Sequence, residues 1–317
     1  MTRPSLTAAV RTADVGMPLL QWLVARFAYR DADGWRAELA AGRVLHNGRS
    51  AGGDELLAAG DRIECAHGND AEARAIAILH EDDDLLVVDK PAGMVVQAAS
   101  AFAGRTFLAP LAAARNLDEL HAVHRLDRDT SGVLVLAKSS LAAATWQQRL
   151  AAAGTSKRYL ALVRGTPTAD RFACDLPIGG SQGAVKARRS TAPEALRPRR
   201  ATTQFAVLAR GRGATLLEAR PATGRTHQIR VHLEALGLPL CGDKLYGRSD
   251  EAYLTDVANL EADPEVWCRS TGYARHLLHA ERLTIPIETA TAAFSAALPQ
   301  DFRSGLAAAG IDVGVPF

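Results

Sequence analysis

The chain has no CxxC pair and no histidine at metal-ligand spacing from a cysteine. Cys65, Cys174, Cys241 and Cys268 stand far apart, which argues against both a zinc site and a disulfide framework and leaves idle thiols in a reducing compartment. No run of 18 uncharged apolar residues occurs, so no transmembrane helix is expected. Charges break up the apolar stretches of residues 1–30, which therefore lack the core of a secretory signal, and a cytoplasmic protein is expected. The sequence shows no internal repeat, and alanine richness is its one compositional bias. A dinucleotide fingerprint and a Walker-type phosphate loop are missing too. So is a charge excess: Lys and Arg number 37 against 35 Asp and Glu, a net +2 that says little about partners.

What remains is an ordinary globular composition, 48% apolar and 23% charged, on 317 residues, enough for one large domain and a small one. Over residues 17–41, Leu19, Leu20, Leu23, Val24 and Phe27 recur at the helical period, and a second helix runs from Trp35 to Ala41, where Gly42 ends it. The following "GRVLHNGRSAGGDELLAAGDRIEC" alternates short β-like runs with Asn-Gly and Gly-Asp turns. The polar, Ala-rich residues 67–75 read as a linker. This predicts a small N-terminal α/β module over 1–70 and a larger domain over 76–317.

Strand patterns dominate the larger part: 85–90, 132–138, 158–165, 202–210 and 214–221, with helical patterns at 141–153 and 226–236. Their irregular spacing predicts an α+β domain built on a mixed, mainly antiparallel sheet flanked by helices and loops. Lys and Arg cluster in one region. Residues 186–230 hold eleven of them against Glu194 and Glu218, partly on Gly- and Pro-containing loops where phosphate contact is plausible.

Four stretches concentrate chemistry-bearing side chains. In "HAVHRLDRDTSGVLVLAKSS", residues 121–140, the charges of His124, Arg125, Asp127, Arg128 and Asp129 precede a "TSG" turn and an apolar strand. A charged loop is ordinarily solvated. Here Val123 and Leu126 alternate with the charges and imply partial burial, and a half-buried carboxylate needs a cation to stay ionised, which makes Asp127 a candidate catalytic group.

In "RPATGRTHQIRVHLEALGLPLCGDKLYG", residues 220–247, Thr226 is placed to cap a helix. His227, Arg230 and Glu234 would share one face of that helix, and Ile229, Leu233 and Leu236 would form its packing stripe. Gly224 and Arg225 ahead of it suit an anion. "SKRYLALVRG", residues 156–165, brings Tyr159 into a strand, and "HEDDDLLVVDKPAGMVV", residues 80–96, reads as an acidic turn, a strand and a Pro-Gly loop.

Taken in order, "EDDDLLVVDKPAGMVV", "HRLDRDTSGVLVLAKS", "KRYLALVRG" and "TGRTHQIRVHLEALGLPLCGDKLYG", with "HLLHAERLTIP" after them, resemble the RluA-type RNA pseudouridine synthases over roughly residues 76–290. "GRVLHNG" followed by "LAAGDRIE" resembles the small RNA-binding module named after a ribosomal small-subunit protein. Residues 1–75 nevertheless carry nine Arg against ten Asp and Glu, fewer net positive charges than such a binder usually has. "QAAS" at 97–100 departs from the His-Pro pair common in the family after the "KPAG" strand.

The resemblance implies isomerisation of uridine to pseudouridine in ribosomal or transfer RNA, with no cofactor and no metal, by a monomer that binds RNA and no membrane. It implies that Asp127 is the catalytic carboxylate, as nucleophile or as base. Arg230 would be its basic partner, Tyr159 the aromatic that stacks on the target base, and Arg125 the side chain that fills the space left by a flipped nucleotide. His124, Arg128, Arg225 and His227 are expected to position the loop or contact RNA. A binding protein without catalysis remains open as a rival, as does a carboxylate-dependent hydrolase. The latter would normally need two opposed carboxylates.

Overall fold

The computed structural model describes residues 6–26, 32–65, 75–96, 106–260, 263, 265–287 and 290–312. Phe27, nearly all of the 67–75 linker and the "QAAS" of 97–100 lie outside them. The chain divides into two compact units. One comprises Met1–Ala75, Gln97–Leu120 and Glu261–Pro264, and the other Ile76–Val96, His121–Leu260 and Glu265–Phe317.

In the first unit the helices Leu19–Arg26 and Ala32–Ala40 accompany a four-stranded antiparallel sheet. Its strand order is Leu6–Ala9, Arg62–Cys65, Val44–His46, Arg49–Ser50. The first of these strands is not evident from the sequence pattern. The apolar period of the first helix buries Leu19, Trp22 and Leu23, which pack with Trp35, Leu39, Val44, Leu57 and Ile63. Gly42 stands just beyond the second helix at φ +67°, a left-handed conformation that suits glycine after a helix end.

The second unit is built on a ten-stranded sheet. Its main order is Arg171–Cys174, Thr203–Arg210, Ala214–Pro221, Ser156–Arg164, Leu278–Ile287, Ser131–Ala137, Leu85–Lys90 and Ala77–Glu81. His121–Ala122 pairs with Ser131–Ala137, and Ala290–Ser295 with Leu278–Ile287. All pairings are antiparallel except that of Leu278–Ile287 with Ser131–Ala137, so the sheet is mixed and the fold α+β. A smaller sheet joins Arg189–Ser190, Ile178–Gly180 and Leu196–Arg199.

The Ser131–Ala137 strand is buried along its whole length. Its run of valines and leucines matches a strand covered on both faces, and each fully buried side chain of this kind is worth about 1.5–3 kcal/mol in area removed from water. Helix Ser140–Ala151 begins where the Ser139 hydroxyl accepts from the Ala142 N–H, and it packs Ala142, Ala143 and Trp146 with Val133 and Val135. Gly132 has φ +114°, and a Cβ there would run into the Ala280 carbonyl of the neighbouring strand. Only glycine permits that approach, which lies directly after the charged loop.

Candidate active site

Asp127 stands in the loop that feeds the Ser131–Ala137 strand, and its carbonyl accepts the Thr130 N–H at 3.1 Å. Other segments of the same unit pin this loop. The fully buried Lys90 gives its ammonium protons to the carbonyls of Pro91 (2.8 Å), Met94 (3.1 Å) and Arg128 (2.9 Å). Burial lowers this lysine to about 7. Lys244 meets Asp129 at 2.9 Å, Arg275 donates to the Asp129 carbonyl at 3.1 Å, and the Thr130 hydroxyl pairs with His276 at 2.8 Å. Asp127 is thereby delivered from a loop whose backbone is fixed on both sides.

Its partner comes from helix Gln228–Ala235. Arg230 Nη1 donates to Asp127 Oδ2 at 3.1 Å, and the same guanidinium grips Asp243 with two bonds, Nε to Oδ2 at 2.8 Å and Nη2 to Oδ1 at 2.9 Å. Asp243 Oδ1 also accepts the Leu245 and Tyr246 N–H groups. The fork of Arg230 is thus fixed by one carboxylate while it presents its remaining face to the other. Burial alone would raise the Asp127 carboxyl, but His227, in the acid range where its ring is protonated, and the permanent charge of Arg230 outweigh it and hold Asp127 below the usual carboxylate range. The same opposition of burial and Arg230 holds the Asp243 carboxyl well below that range.

The helix does not begin as its sequence suggests. Thr226 does not cap it; the capping position is His227, left-handed at φ +59° and without a side-chain cap bond. Gln228 takes over instead. Its Oε1 accepts from the Thr223 hydroxyl (2.6 Å) and the Arg225 N–H (3.0 Å), so a side chain inside the helix organises the turn before it. Of the expected packing stripe, Ile229 and Leu233 are buried and Leu236 is exposed. Glu234 pairs with Arg188 at 3.1 Å.

The unusual backbone at His227 aims its ring at the carboxylate. Tyr246 is fully buried under Arg230, 4.9 Å from guanidinium carbon to ring centre, and its hydroxyl accepts the Arg189 N–H at 2.9 Å. That hydroxyl also pairs with His227 Nδ1 at 2.9 Å, and the other ring nitrogen, Nε2, stands 4.0 Å from Asp127 Oδ2. Burial lowers His227 to about 4 despite the nearby aspartate, so this is a neutral imidazole at neutral pH.

Asp127, His227 and Arg230 line a cleft of about 270 Å³, small among ligand pockets. Asp127, Arg230, Tyr159, Arg125, His124, Arg225 and His227 all reach it; Arg128 does not. Arg128 is half-exposed and donates to the Gly93 carbonyl at 3.2 Å. His124 accepts the Val135 N–H at 3.1 Å, and burial together with the charge of Lys157 lowers it to about 3, so it is an uncharged strut between loop and strand. Burial and the Asp127 charge raise the Tyr159 phenol, which stays protonated. Arg225 donates to the Arg200 carbonyl at 3.1 Å and so ties the cleft mouth to the arginine-rich 197–200 segment.

Sequence reasoning missed Asp243, Tyr246 and Lys157. The first two lie in "GDKLYG", where Gly242 has φ +77° and no room for a Cβ against the Arg275 carbonyl, the mark of a tightly specified turn.

A family profile described as RNA pseudouridylate synthase matches residues 84–235. The chain is 34% identical over 245 residues to ribosomal large subunit pseudouridine synthase D of Zymomonas mobilis, covering 74% of this chain and 73% of that protein. It is 35% identical over 263 residues to the protein of the same name from Nitrosomonas europaea, covering 81% and 72%. The chain belongs to the RNA pseudouridine synthase family.

Its fold agrees. The structure of human RNA pseudouridylate synthase domain containing 4 superposes with a TM-score of 0.60 at 27% identity, over 77% of this chain and 98% of that one. The human domain containing 1 protein gives 0.53 at 26%, over 76% and 96%. This pseudouridine synthase is accordingly an isomerase. Among its described residues no helix is long and apolar enough to cross a membrane.

Proposed function

We propose that this synthase converts uridines of large-subunit ribosomal RNA to pseudouridine, with Asp127 as its catalytic carboxylate. The observation that carries the reading is Asp127 itself, held ionised by Arg230 in a small cleft that Tyr159 also lines. The name of the relatives supports the choice of RNA.

In the isomerisation the C1′–N1 bond breaks, a C1′–C5 bond forms, and the proton lost from C5 is balanced by one gained at N1, so no co-reactant is consumed. Asp127 serves as nucleophile toward C1′ or as the base that opens the glycal route. In both routes it must be anionic, which Arg230 secures. We assign to Tyr159 a stacking face for the uracil; its retained proton disfavours a phenolate that takes the C5 proton unaided. A paired base has to leave its helix to enter the cleft, at a cost of a few kcal/mol. Arg125, exposed at the cleft and two residues from Asp127, is the side chain we assign to the vacated space.

His124 positions the loop, and Arg225 with the exposed Leu196–Arg199 strand contacts phosphates. The N-terminal unit, two helices with a four-stranded sheet, is assigned to RNA binding on its resemblance to a ribosomal-protein module. The protein acts as a monomer in the cytoplasm in this reading.

Mass-based pseudouridine mapping of total RNA tests it, in a deletion strain complemented with wild type or with Asp127→Asn. One or more large-subunit sites lose pseudouridine in the deletion and regain it with wild type only. A site confined to transfer RNA would overturn the substrate, and full restoration by Asp127→Asn would overturn the role of Asp127.

A further inference from the structure

Lys157 is the charged side chain of the cleft that the scheme above leaves unused. It lines the cleft two residues before Tyr159 on the Ser156–Arg164 strand. Among the described residues no hydrogen bond or acidic side chain answers it, whereas Asp127, Arg230, Asp243, Asp129 and Lys244 are all paired. Burial pulls its ammonium below the ordinary lysine range with no compensating charge, and its field lowers His124. A half-buried cation without a counter-ion is costly, and no described residue supplies one.

The geometry gives the missing anion a place. Residues two apart on a strand share a face and are separated by about 7 Å, roughly a ribose away from Tyr159. Gly224 stands opposite: a Cβ added there would meet only Lys157 Nζ, at 3.9 Å, so the space beside the ammonium is open. Arg125 and Arg225 line the same cleft and make its surroundings electropositive.

We infer that Lys157 receives the phosphate group of the nucleotide whose base lies against Tyr159. This rests on the synthase reading above and adds a specific anchor for the flipped nucleotide. Among the described residues no acid is left as an alternative partner, and a phosphate is the one anion that every nucleotide brings.

The test uses the full chain and unmodified transcripts of large-subunit ribosomal RNA and of a transfer RNA pool, with pseudouridine formation followed across a salt series. For Lys157→Met, kcat/KM falls about tenfold and the log–log salt dependence becomes shallower by about 0.7–0.9, the contribution of one phosphate contact. Lys157→Arg restores most of both, and neither variant melts below the wild type. Should Lys157→Met fold poorly, Lys157→Gln is read in its place.

An unchanged salt slope would overturn the inference, including the case where activity falls because Lys157 touches a uracil carbonyl. So would equal losses in the Met and Arg variants. If only transfer RNA is converted, the ribosomal reading fails while Lys157 is judged on that substrate; conversion of neither RNA contradicts both.

Discussion

Asp127 and Arg230 line the cleft and Asp243 continues their chain of paired charges, whereas at its rim Lys157 and Arg125 carry charge that no described residue answers. The chain is preorganised: its groups were desolvated and aligned when the protein folded, so nothing has to reorganise when substrate arrives. The rim is incomplete until a polyanion supplies its counter-charges. Substitutions among these paired groups should therefore damage chemistry at Asp127 and stability at Asp243, and those at the rim should damage RNA handling while the fold stays intact.

The largest effect belongs to Asp127→Asn. Single-turnover conversion falls by more than about 10³-fold, while RNA affinity and melting temperature stay near wild type. A variant within tenfold of wild type would place the carboxylate outside the chemistry.

Asp243→Asn comes next and reads out in stability. It breaks a buried pair and leaves Arg230 with an amide in place of a bidentate partner, a loss of about 3–5 kcal/mol in urea unfolding. A loss below about 1 kcal/mol would mean that the fork is not held there.

Arg230→Met separates the two carboxylates by pH. With this cation gone, burial of Asp127 is opposed less, its pKa rises, and the acid limb of the kcat/KM profile moves to higher pH. Asp243→Asn removes a negative charge instead and moves that limb, if at all, the other way. An unmoved limb in Arg230→Met would show that Asp127 does not set it.

The smallest effects distinguish two arginines of one loop. Arg125→Ala lowers kcat/KM about tenfold at unchanged melting temperature, the loss of one flipping side chain. Arg128→Ala, outside the cleft, stays within about twofold of wild type, as expected for a surface substitution. Reversed magnitudes would exchange their roles.

Much of this architecture was legible in the sequence. The strands at 85–90 and 214–221 follow the apolar runs directly, because burial on both faces leaves a continuous signal. The 141–153 helix lies within two residues of its expected ends. Shorter elements were not legible. Leu6–Ala9 is four residues long, and Arg189–Ser190 and Leu196–Arg199 carry no apolar alternation to betray them.

The start of the 228–235 helix misled because Thr226 looks like a cap, while Gln228 closes the turn from inside the helix. In the site, Asp127 and Arg230 are 103 residues apart, and only an ordered set of motifs brought both to notice. Asp243 was passed over because its importance lies in the Arg230 bond, a tertiary fact. Lys157 is not legible as a site residue because its lack of a partner among the described residues is likewise a tertiary fact.

The order of the large sheet also bears on how the enzyme is born. Leu278–Ile287 lies between Ser156–Arg164 and Ser131–Ala137, although both neighbours leave the ribosome well before it. A nascent chain shorter than this strand holds two partial sheets with bare edges facing a gap, open to mispairing and to chaperones. The last central strand therefore acts as a zip fastener, and the Asp127 loop, which ends against it at Gly132, gains its final backing only when the strand near the chain's C-terminal end arrives.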